Sequence, residues 1–401
     1  MNRTMIIISF LIIIFVTWIY LSFLLPTTIP YKAVGYFISS LFHPHQKMNK
    51  QAVGFLTYWR MDDIKYIWFD LLTEINYFSL SVDKNGEIIT IVGDQTNPGW
   101  REWQDQSLKD LIAQAQVMGE AFTFTVSAHQ NDVIKSILDN KDHQQALINA
   151  VIGQIKSRKL NGVNIDFEYT GDVPGKYKQE FTGFAESLSD AMHNRTPGAT
   201  LSLSIMPLET RNKSLFDLPQ LVPLFDRFIG MSYDYYGANS DIAGPVAPMN
   251  GFKENKFFFD VTTTYSDYEK YIPKNKIIMG IPYYGWDWAV EDGKQINSKT
   301  FPSTDQKNYA AVESYARMLE DKNIISNQCQ WDDYAKASWC WYTDPKTKVD
   351  HQVWLENNKS IGIKYDFANQ QNFAGTAIWV LGYDKDYPDL WTIIKEKFTQ
   401  K

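Results

Sequence analysis

Cysteine is scarce in this chain: its 401 residues include two, Cys329 and Cys340, and six histidines, with neither a CxxC pair nor an HExxH. The common zinc-site spacings are therefore missing, and neither a catalytic metal nor another cofactor is expected. The motifs GxSxG, GxxxxGK[ST] and GxGxxG are missing too, which counts against a serine hydrolase, a P-loop enzyme and a dinucleotide enzyme. No run of Lys or Arg accompanies the net charge of −7, so nothing is on hand to neutralise phosphates, and nucleic acid is not expected as a partner. A neutral substrate fits that charge better.

What the chain has in quantity is apolar and aromatic residues. Hydrophobic residues make up 44% and aromatic ones 15% (24 Phe, 23 Tyr, 13 Trp), against 21% charged. Such a chain can bury a large core and still keep rings for a cleft, which excludes disorder and a coiled coil. At roughly 100–200 residues per domain, the length admits two or three domains or one large barrel. The chemistry left by these exclusions is acid/base work by carboxylates.

From Thr4 to Leu25 run 22 uncharged residues rich in Ile, Leu and Phe. At about 1.5 Å per residue they can cross a hydrocarbon core of about 30 Å. The run is longer than the apolar stretch of a signal peptide and ends in Leu24-Leu25-Pro26 with no A-x-A site. An uncleaved transmembrane anchor is therefore preferred over a cleaved signal for residues 1–25. Arg3 before the span and Lys32 well beyond it put the N-terminus in the cytosol and the body outside, in a periplasm or at a cell surface. Residues 26–50, with Pro26, Pro30 and Pro44, read as a linker. In an oxidising compartment Cys329 and Cys340, which flank two alternating segments around a polar turn at 333–335, suit a cross-strand disulfide; two buried thiols are the alternative.

Across 51–401, short β-branched or aromatic runs alternate with segments of helical spacing, the pattern of βα units and a parallel sheet. Eight strands are predicted, at 52–58, 74–82, 121–128, 162–167, 200–206, 228–235, 276–283 and 375–381. Helical spacing covers 108–118, 133–156, 177–193 and 257–271. Eight such units make an α/β fold of the (β/α)8 barrel type, with its active site at the C-terminal ends of the strands. A doubly wound open sheet, the alternative, usually carries a glycine-rich phosphate loop, and none is found. The stretch between the seventh and eighth strands is too long for one connection, so a small α+β insertion is expected over about 286–373, forming one wall of a cleft. The protein is read as a monomer.

Within NGVNIDFEY, Asn164, Asp166 and Glu168 alternate, so a period of two points all three to one face and Val163, Ile165 and Phe167 to the other. Two carboxylates side by side in a partly dry barrel mouth repel, which raises the pKa of the less solvated acid, as a general acid near neutral pH requires. A solvated strand face or a calcium loop is the plainer reading, and the apolar opposite face argues against both. An amide at Asn164 can hold Asp166 by donating a hydrogen bond.

This strand resembles the fourth-strand signature DGxDxDxE of glycoside hydrolase family 18, reading here Asn161-Gly162-Val163-Asn164-Ile165-Asp166-Phe167-Glu168. The similarity covers almost the whole body. Ser127 in FTVSAH stands at the third-strand serine, MSYDYYG at 231–237 matches the sixth-strand MxYD, and Trp379 in AGTAIWVLG matches the eighth-strand tryptophan. YYGWDW at 283–288 and VWLENNKSIGIKYDF at 353–367 are most similar to the spore-cortex and cell-wall N-acetylglucosaminidase branch, where NIDFE also occurs. The chain departs from the family pattern at Asn161 and Asn164, and at Ser127-Ala128-His129, where SxGG is usual.

The resemblance implies a retaining, substrate-assisted hydrolase that cleaves β-1,4 bonds after N-acetylglucosamine, in peptidoglycan or chitin-like oligosaccharides. It implies Glu168 as acid and then base, Asp166 orienting the acetamido N–H and stabilising the ring charge, and Tyr233 hydrogen-bonding the acetamido oxygen. Trp379 would be the apolar floor under the sugar before the scissile bond. Asp234 is assigned to substrate binding, with a capping or supporting role as the alternative, while Ser127 and Asn164 are supporting hydrogen-bonders. Tyr58, Trp59, Trp100, Tyr284, Trp286 and Trp288 fall at strand ends or in loops, where sugar-stacking rings would sit; Tyr58 and Trp286 are taken for substrate binding, and core packing is the alternative for each. A non-catalytic glycan-binding lectin on the same barrel, or a structural envelope scaffold, are the competing readings.

Overall fold

The computed structural model describes residues 47–171, 173–210, 214–251, 260–301, 310–325 and 329–399. The apolar span 4–25 lies outside the described residues, and among those described no helix is long and apolar enough to cross a membrane.

Seven strands follow in turn: β1 (Gln51–Thr57), β2 (Glu74–Ser81), β3 (Ala121–Ala128), β4 (Gly162–Phe167), β5 (Thr200–Ile205), β6 (Arg227–Gly230) and β7 (Ile277–Pro282). Five more, β8 (Tyr284–Val290), β9 (Ala311–Ser314), β10 (Gln330–Asp332), β11 (Ala337–Thr343) and β12 (Asp350–Leu355), form an antiparallel sheet in the order β9-β8-β12-β11-β10. Then β13 (Gly375–Trp379) pairs in parallel with both β7 and β1 and closes an eight-stranded barrel. Closure leaves no open edge, and parallel crossovers put the helices outside.

The helices that matter for the site's support are α1 (Gln106–Met118), α2 (Asn131–Asp139), α3 (Lys141–Arg158), α4 (Gly175–Arg195), α5 (Val261–Tyr268), α6 (Asn358–Gln370) and α7 (Asp389–Phe398). Each buries an apolar stripe; α1, for instance, buries Leu108, Leu111, Ile112 and Ala115. Burying such side chains contributes about 1.5–3 kcal/mol apiece. In place of the single helix expected over 133–156 there are two. Asn140 breaks it with extended dihedrals (φ −130, ψ 117) and caps α3 by accepting from Asp142 N at 2.8 Å.

The lower barrel is filled by polar side chains that satisfy one another. Arg227 pairs with Glu74 and donates to Ser202 Oγ (2.8 Å) and Gln51 Oε1 (2.8 Å), while Thr123 donates to Glu74 at 2.6 Å. Above them Asn76 donates to Thr123 (2.8 Å) and accepts from Thr125 (2.6 Å). Such a column is stable only when fully paired, because a buried polar group left without a partner costs about 1–3 kcal/mol.

Three expected boundaries move. The linker read over 26–50 ends sooner, because Asn49 N donates to Phe398 O (2.8 Å) and Lys50 Nζ to Phe373 O (2.6 Å), which ties 47–50 to the barrel. The inserted sheet starts at Tyr284, and α6 packs on β7 and β13 as the barrel's own helix, so the insertion expected to 373 gives way to barrel after Leu355. A buried ion pair, Lys364 with Glu356 at 2.8 Å, fixes that junction. The strand expected over 228–235 ends at Gly230, where Tyr233 N turns back to Met231 O (2.9 Å) and Asp234 takes a left-handed φ of 54. Of the helix expected over 257–271, α5 supplies Val261–Tyr268, and 252–259 lie outside the described residues. Cys329 and Cys340 are joined with Cα atoms 4.1 Å apart, one step beyond the Gln330↔Trp339 pair of β10 and β11.

Candidate active site

Alternation along β4 sends Val163, Ile165 and Phe167 outward, where Phe167 meets Phe181 and Phe184 of α4, each with ring centroids 6.1 Å away. The other face climbs the barrel axis in three steps. Asn164 is wholly buried, Asp166 is 2% exposed, and the Glu168 side chain just beyond the strand end is 31% exposed. Only the last reaches the mouth freely.

Asn164 does not hold Asp166. Its Nδ2 donates to Thr125 Oγ1 (3.1 Å) and Ser204 Oγ (2.9 Å) at the top of the polar column, while its Oδ1 stays buried without a hydrogen-bond partner among the described residues. The neighbouring strands offer hydroxyls at its own level, whereas Asp166 lies one strand period higher. Ser127, level with Asp166 on β3, is 2.8 Å from Ser79 Oγ and belongs to the wall.

Asp166 keeps one oxygen, Oδ1, buried and without a hydrogen-bond partner among the described residues. Burial first, and the Glu168 charge second, push its pKa up to about 7. His129 opposes that rise. Its Nε2 is 3.9 Å from Asp166 Oδ2 and its Nδ1 is 3.5 Å from Glu168 Oε1. The imidazole is in turn raised from its ordinary pKa, chiefly by the hydrogen bond with Glu168. His129 entered the sequence reading only as a departure from SxGG, yet a signal was there: it follows Ser127 by two residues and so shares its inward face.

Opposite Glu168, β13 brings Trp379 to the mouth. Its ring stacks on Tyr233 (6.1 Å, 13°) and packs against Phe55 (5.6 Å) and Phe78 (4.7 Å). Tyr233 fits because Gly280 lies beneath it: a Cβ there would be 3.0 Å from the Tyr233 ring and 2.3 Å from Gly230 O. Burial, then the Asp166 charge, raise the Tyr233 pKa well above the ordinary phenol range, so its hydroxyl keeps its proton. Asp234 is partly open to the cleft, but the surrounding rings desolvate it and raise its pKa, while Trp286 Nε1, donating at 2.9 Å, works the other way.

The remaining aromatic candidates divide. Trp59 is 46% exposed and touches Tyr58 (4.7 Å), which is half-buried, so both remain available to a ligand. Trp286 is half-buried beside Asp234, and Trp100 is half-buried against the core. Tyr284 and Trp288 are core residues, 3% and 1% exposed, and Trp288 spends its N–H on Gly237 O (3.2 Å).

His129, Asp166 and Glu168 each bring one donor atom within 4.8 Å of the others. A metal needs those atoms to converge on one centre. Here the two carboxylates face different nitrogens of a single ring, an arrangement suited to sharing a proton.

The profile described as Glycosyl hydrolases family 18 matches residues 51–384, from the start of β1 to just past the end of β13. The chain belongs to glycoside hydrolase family 18. It is 24% identical over 324 residues to the uncharacterized glycosylase YvbX of Bacillus subtilis, covering 79% of this chain and 82% of that one. To the cortical fragment-lytic enzyme of the same organism it is 23% identical over 337 residues, covering 82% and 68%. Two solved structures share the fold. The spore cortex-lytic enzyme SleL of Bacillus megaterium has a TM-score of 0.66 at 21% identity, covering 89% of this chain and 75% of that one. The group IV chitinase of Ostrinia furnacalis, bound to allosamidin, has a TM-score of 0.74 at 17% identity, covering 87% and 98%. As a family 18 member the protein is a glycoside hydrolase.

Proposed function

We propose that this family 18 enzyme cleaves β-1,4 bonds after N-acetylglucosamine, in peptidoglycan or chitin-like oligosaccharides, by a retaining mechanism in which the substrate's acetamido oxygen is the nucleophile. One arrangement carries the reading: Glu168, semi-exposed just beyond the strand that carries the buried Asp166, with Trp379 on the diametrically opposite strand and stacked on Tyr233 from the loop after β6. Glu168 protonates the glycosidic oxygen and then takes the proton of the attacking water. Asp166, with one oxygen unpartnered and a strong pull toward protonation, suits a group that bonds the acetamido N–H and carries charge as the ring becomes cationic. Tyr233, kept protonated, donates to the acetamido oxygen, and Trp379 supports the apolar face of that sugar. Asp234, Tyr58 and Trp286 bind the flanking sugars, with Ser127 and Asn164 holding the wall behind them.

We further propose that residues 4–25 anchor the enzyme in a membrane with the barrel on the extracytoplasmic side. The relatives named as cortex-lytic favour peptidoglycan, and the chitinase neighbour keeps chitin-like substrates in view.

The test is mass spectrometry of products from the full-length protein and its Glu168→Gln variant, on chito-oligosaccharides and on purified peptidoglycan. New N-acetylglucosamine reducing ends that vanish in the variant are the expected result, and the better substrate names the polymer. Binding of either glycan without cleavage by the parent would replace the reading with a lectin.

A further inference from the structure

His129 stands at the mouth just past the end of β3, with 48% of its side chain exposed. Its ring lies across the acid pair, Nδ1 toward Glu168 Oε1 at 3.5 Å and Nε2 toward Asp166 Oδ2 at 3.9 Å. Both acids come from the β4 arm. From the loop after β6, Tyr233 feels the charges of Asp166 and Glu168, and Asp234 feels that of Glu168. On His129's own side, Asp132 is engaged by Lys84 at 2.7 Å. Among the described residues, His129 is the basic group that acts on Asp166. The family pattern SxGG offers no titratable side chain at this position.

We propose that His129 is a proton-holding positioning residue, which keeps beside Glu168 the proton that Glu168 delivers to the glycosidic oxygen; this rests on the hydrolytic reading above. In the empty cleft the proton sits on Nδ1, and the imidazolium is hydrogen-bonded to the Glu168 carboxylate. A sugar entering the cleft expels water, and an ion pair loses more by that desolvation than a neutral pair does. The Nδ1–H bond then breaks and an Oε1–H bond forms. Imidazolium and carboxylate become imidazole and carboxylic acid, with total charge unchanged. Glu168 passes this proton to the leaving oxygen and receives another from the attacking water. On product release that proton returns to Nδ1, and the cycle closes. The hydrogen bond with Glu168, which raises the imidazole's affinity for a proton, acts in the same direction.

Two measurements on the full-length protein test this. The first is the pH profile of kcat/KM on a chito-oligosaccharide for the parent, His129→Gly and His129→Gln. A cluster that loses its most basic member releases its last proton at lower pH, so the alkaline midpoint is expected to fall in both variants. Glutamine keeps the bulk and the hydrogen bond, so a purely packing role would leave its midpoint with the parent's. The second is the NMR titration of the His129 ring in the parent and in Glu168→Gln, which needs no turnover. Its midpoint is expected to drop when the glutamate charge is removed. Coincident pH limbs, or a His129 midpoint indifferent to Glu168→Gln, overturn the proposal and leave the hydrolytic reading standing. A parent that cuts no glycan overturns the hydrolytic reading itself.

Discussion

Trp286 of the inserted sheet donates its indole N–H to Asp234 of the barrel at 2.9 Å. A side chain from outside the barrel thus stabilises the ionised form of an acid beside Tyr233, and the insertion becomes part of the site's electrostatics as well as a wall.

Trp286→Phe keeps most of the ring and removes the donor. Asp234 then loses the larger of the two hydrogen bonds that oppose its raised pKa, keeping the one from Tyr284, so its carboxyl takes up a proton at higher pH than in the parent. The expected outcome is a fall of about tenfold in kcat/KM near neutral pH, equivalent to about 1.4 kcal/mol, with part of it recovered at alkaline pH. A uniform loss at every pH would assign Trp286 to stacking instead.

Gly280→Ala tests the support under Tyr233. The added methyl lands 2.3 Å from Gly230 O and 3.0 Å from the Tyr233 ring, and the backbone oxygen cannot yield as a flexible side chain would. The Tyr233 ring must tilt off Trp379. Loss of kcat with a smaller change in KM, measured on the same oligosaccharide, is the expected signature, because positioning is felt most in the transition state.

Arg227→Met tests the base of the barrel, far below the mouth. It leaves Glu74, only 3% exposed, without its cation and also strips Ser202 and Gln51 of a donor. Breaking a buried pair from one side costs about 3–5 kcal/mol. Urea unfolding should register that loss, and a change under about 1 kcal/mol would mean the column repacks.

The strand ladder was legible because each barrel strand is a short β-branched run, and seven of the eight end within about two residues of expectation, within the usual ambiguity of assigned ends. The eighth case is instructive. The run 228–235 is continuous in sequence, but Tyr233 and Asp234 reach the mouth only if the chain leaves β6 at Gly230 and turns. Tertiary demand overrode local propensity there. Asn164 was placed correctly on the inward face, yet its partners were misread, since the sequence does not reveal which hydroxyls of β3 and β5 stand level with it. The same limit hid His129: its spacing was visible, but its contact with two acids from another strand was not.

Cys329→Ser with Cys340→Ser probes the inserted sheet. The bond spans 11 residues and ties the residue just before β10, a three-residue edge strand, to β11. Closing a loop of that size contributes about 2–3 kcal/mol on the chain-entropy account. The loss should be local: faster hydrogen exchange in 330–342 of the double variant, with the barrel amides unchanged. Exchange rising equally in both would make sheet and barrel one cooperative unit.

Stability should fall as the solution becomes alkaline, because several buried acids hold their protons more tightly when folded. Burial, with Asp70 adding to it, pushes Glu120 up to about 9, and burial pushes Asp384 up to about 7. A folded pKa above the unfolded one means that the native state binds more protons between the two values, so the slope of unfolding free energy with pH is negative there. For Glu120 that window runs from its ordinary 4.5 to about 9, and for Asp384 from 3.8 to about 7. Their stabilising share is whole below the window and lost as pH rises through it. Thermal unfolding of the parent should therefore come at lower temperature at pH 9 than at pH 6. Glu120→Gln, which cannot ionise, should flatten the upper part of that decline, and an identical decline in the variant would show that the loss arises elsewhere.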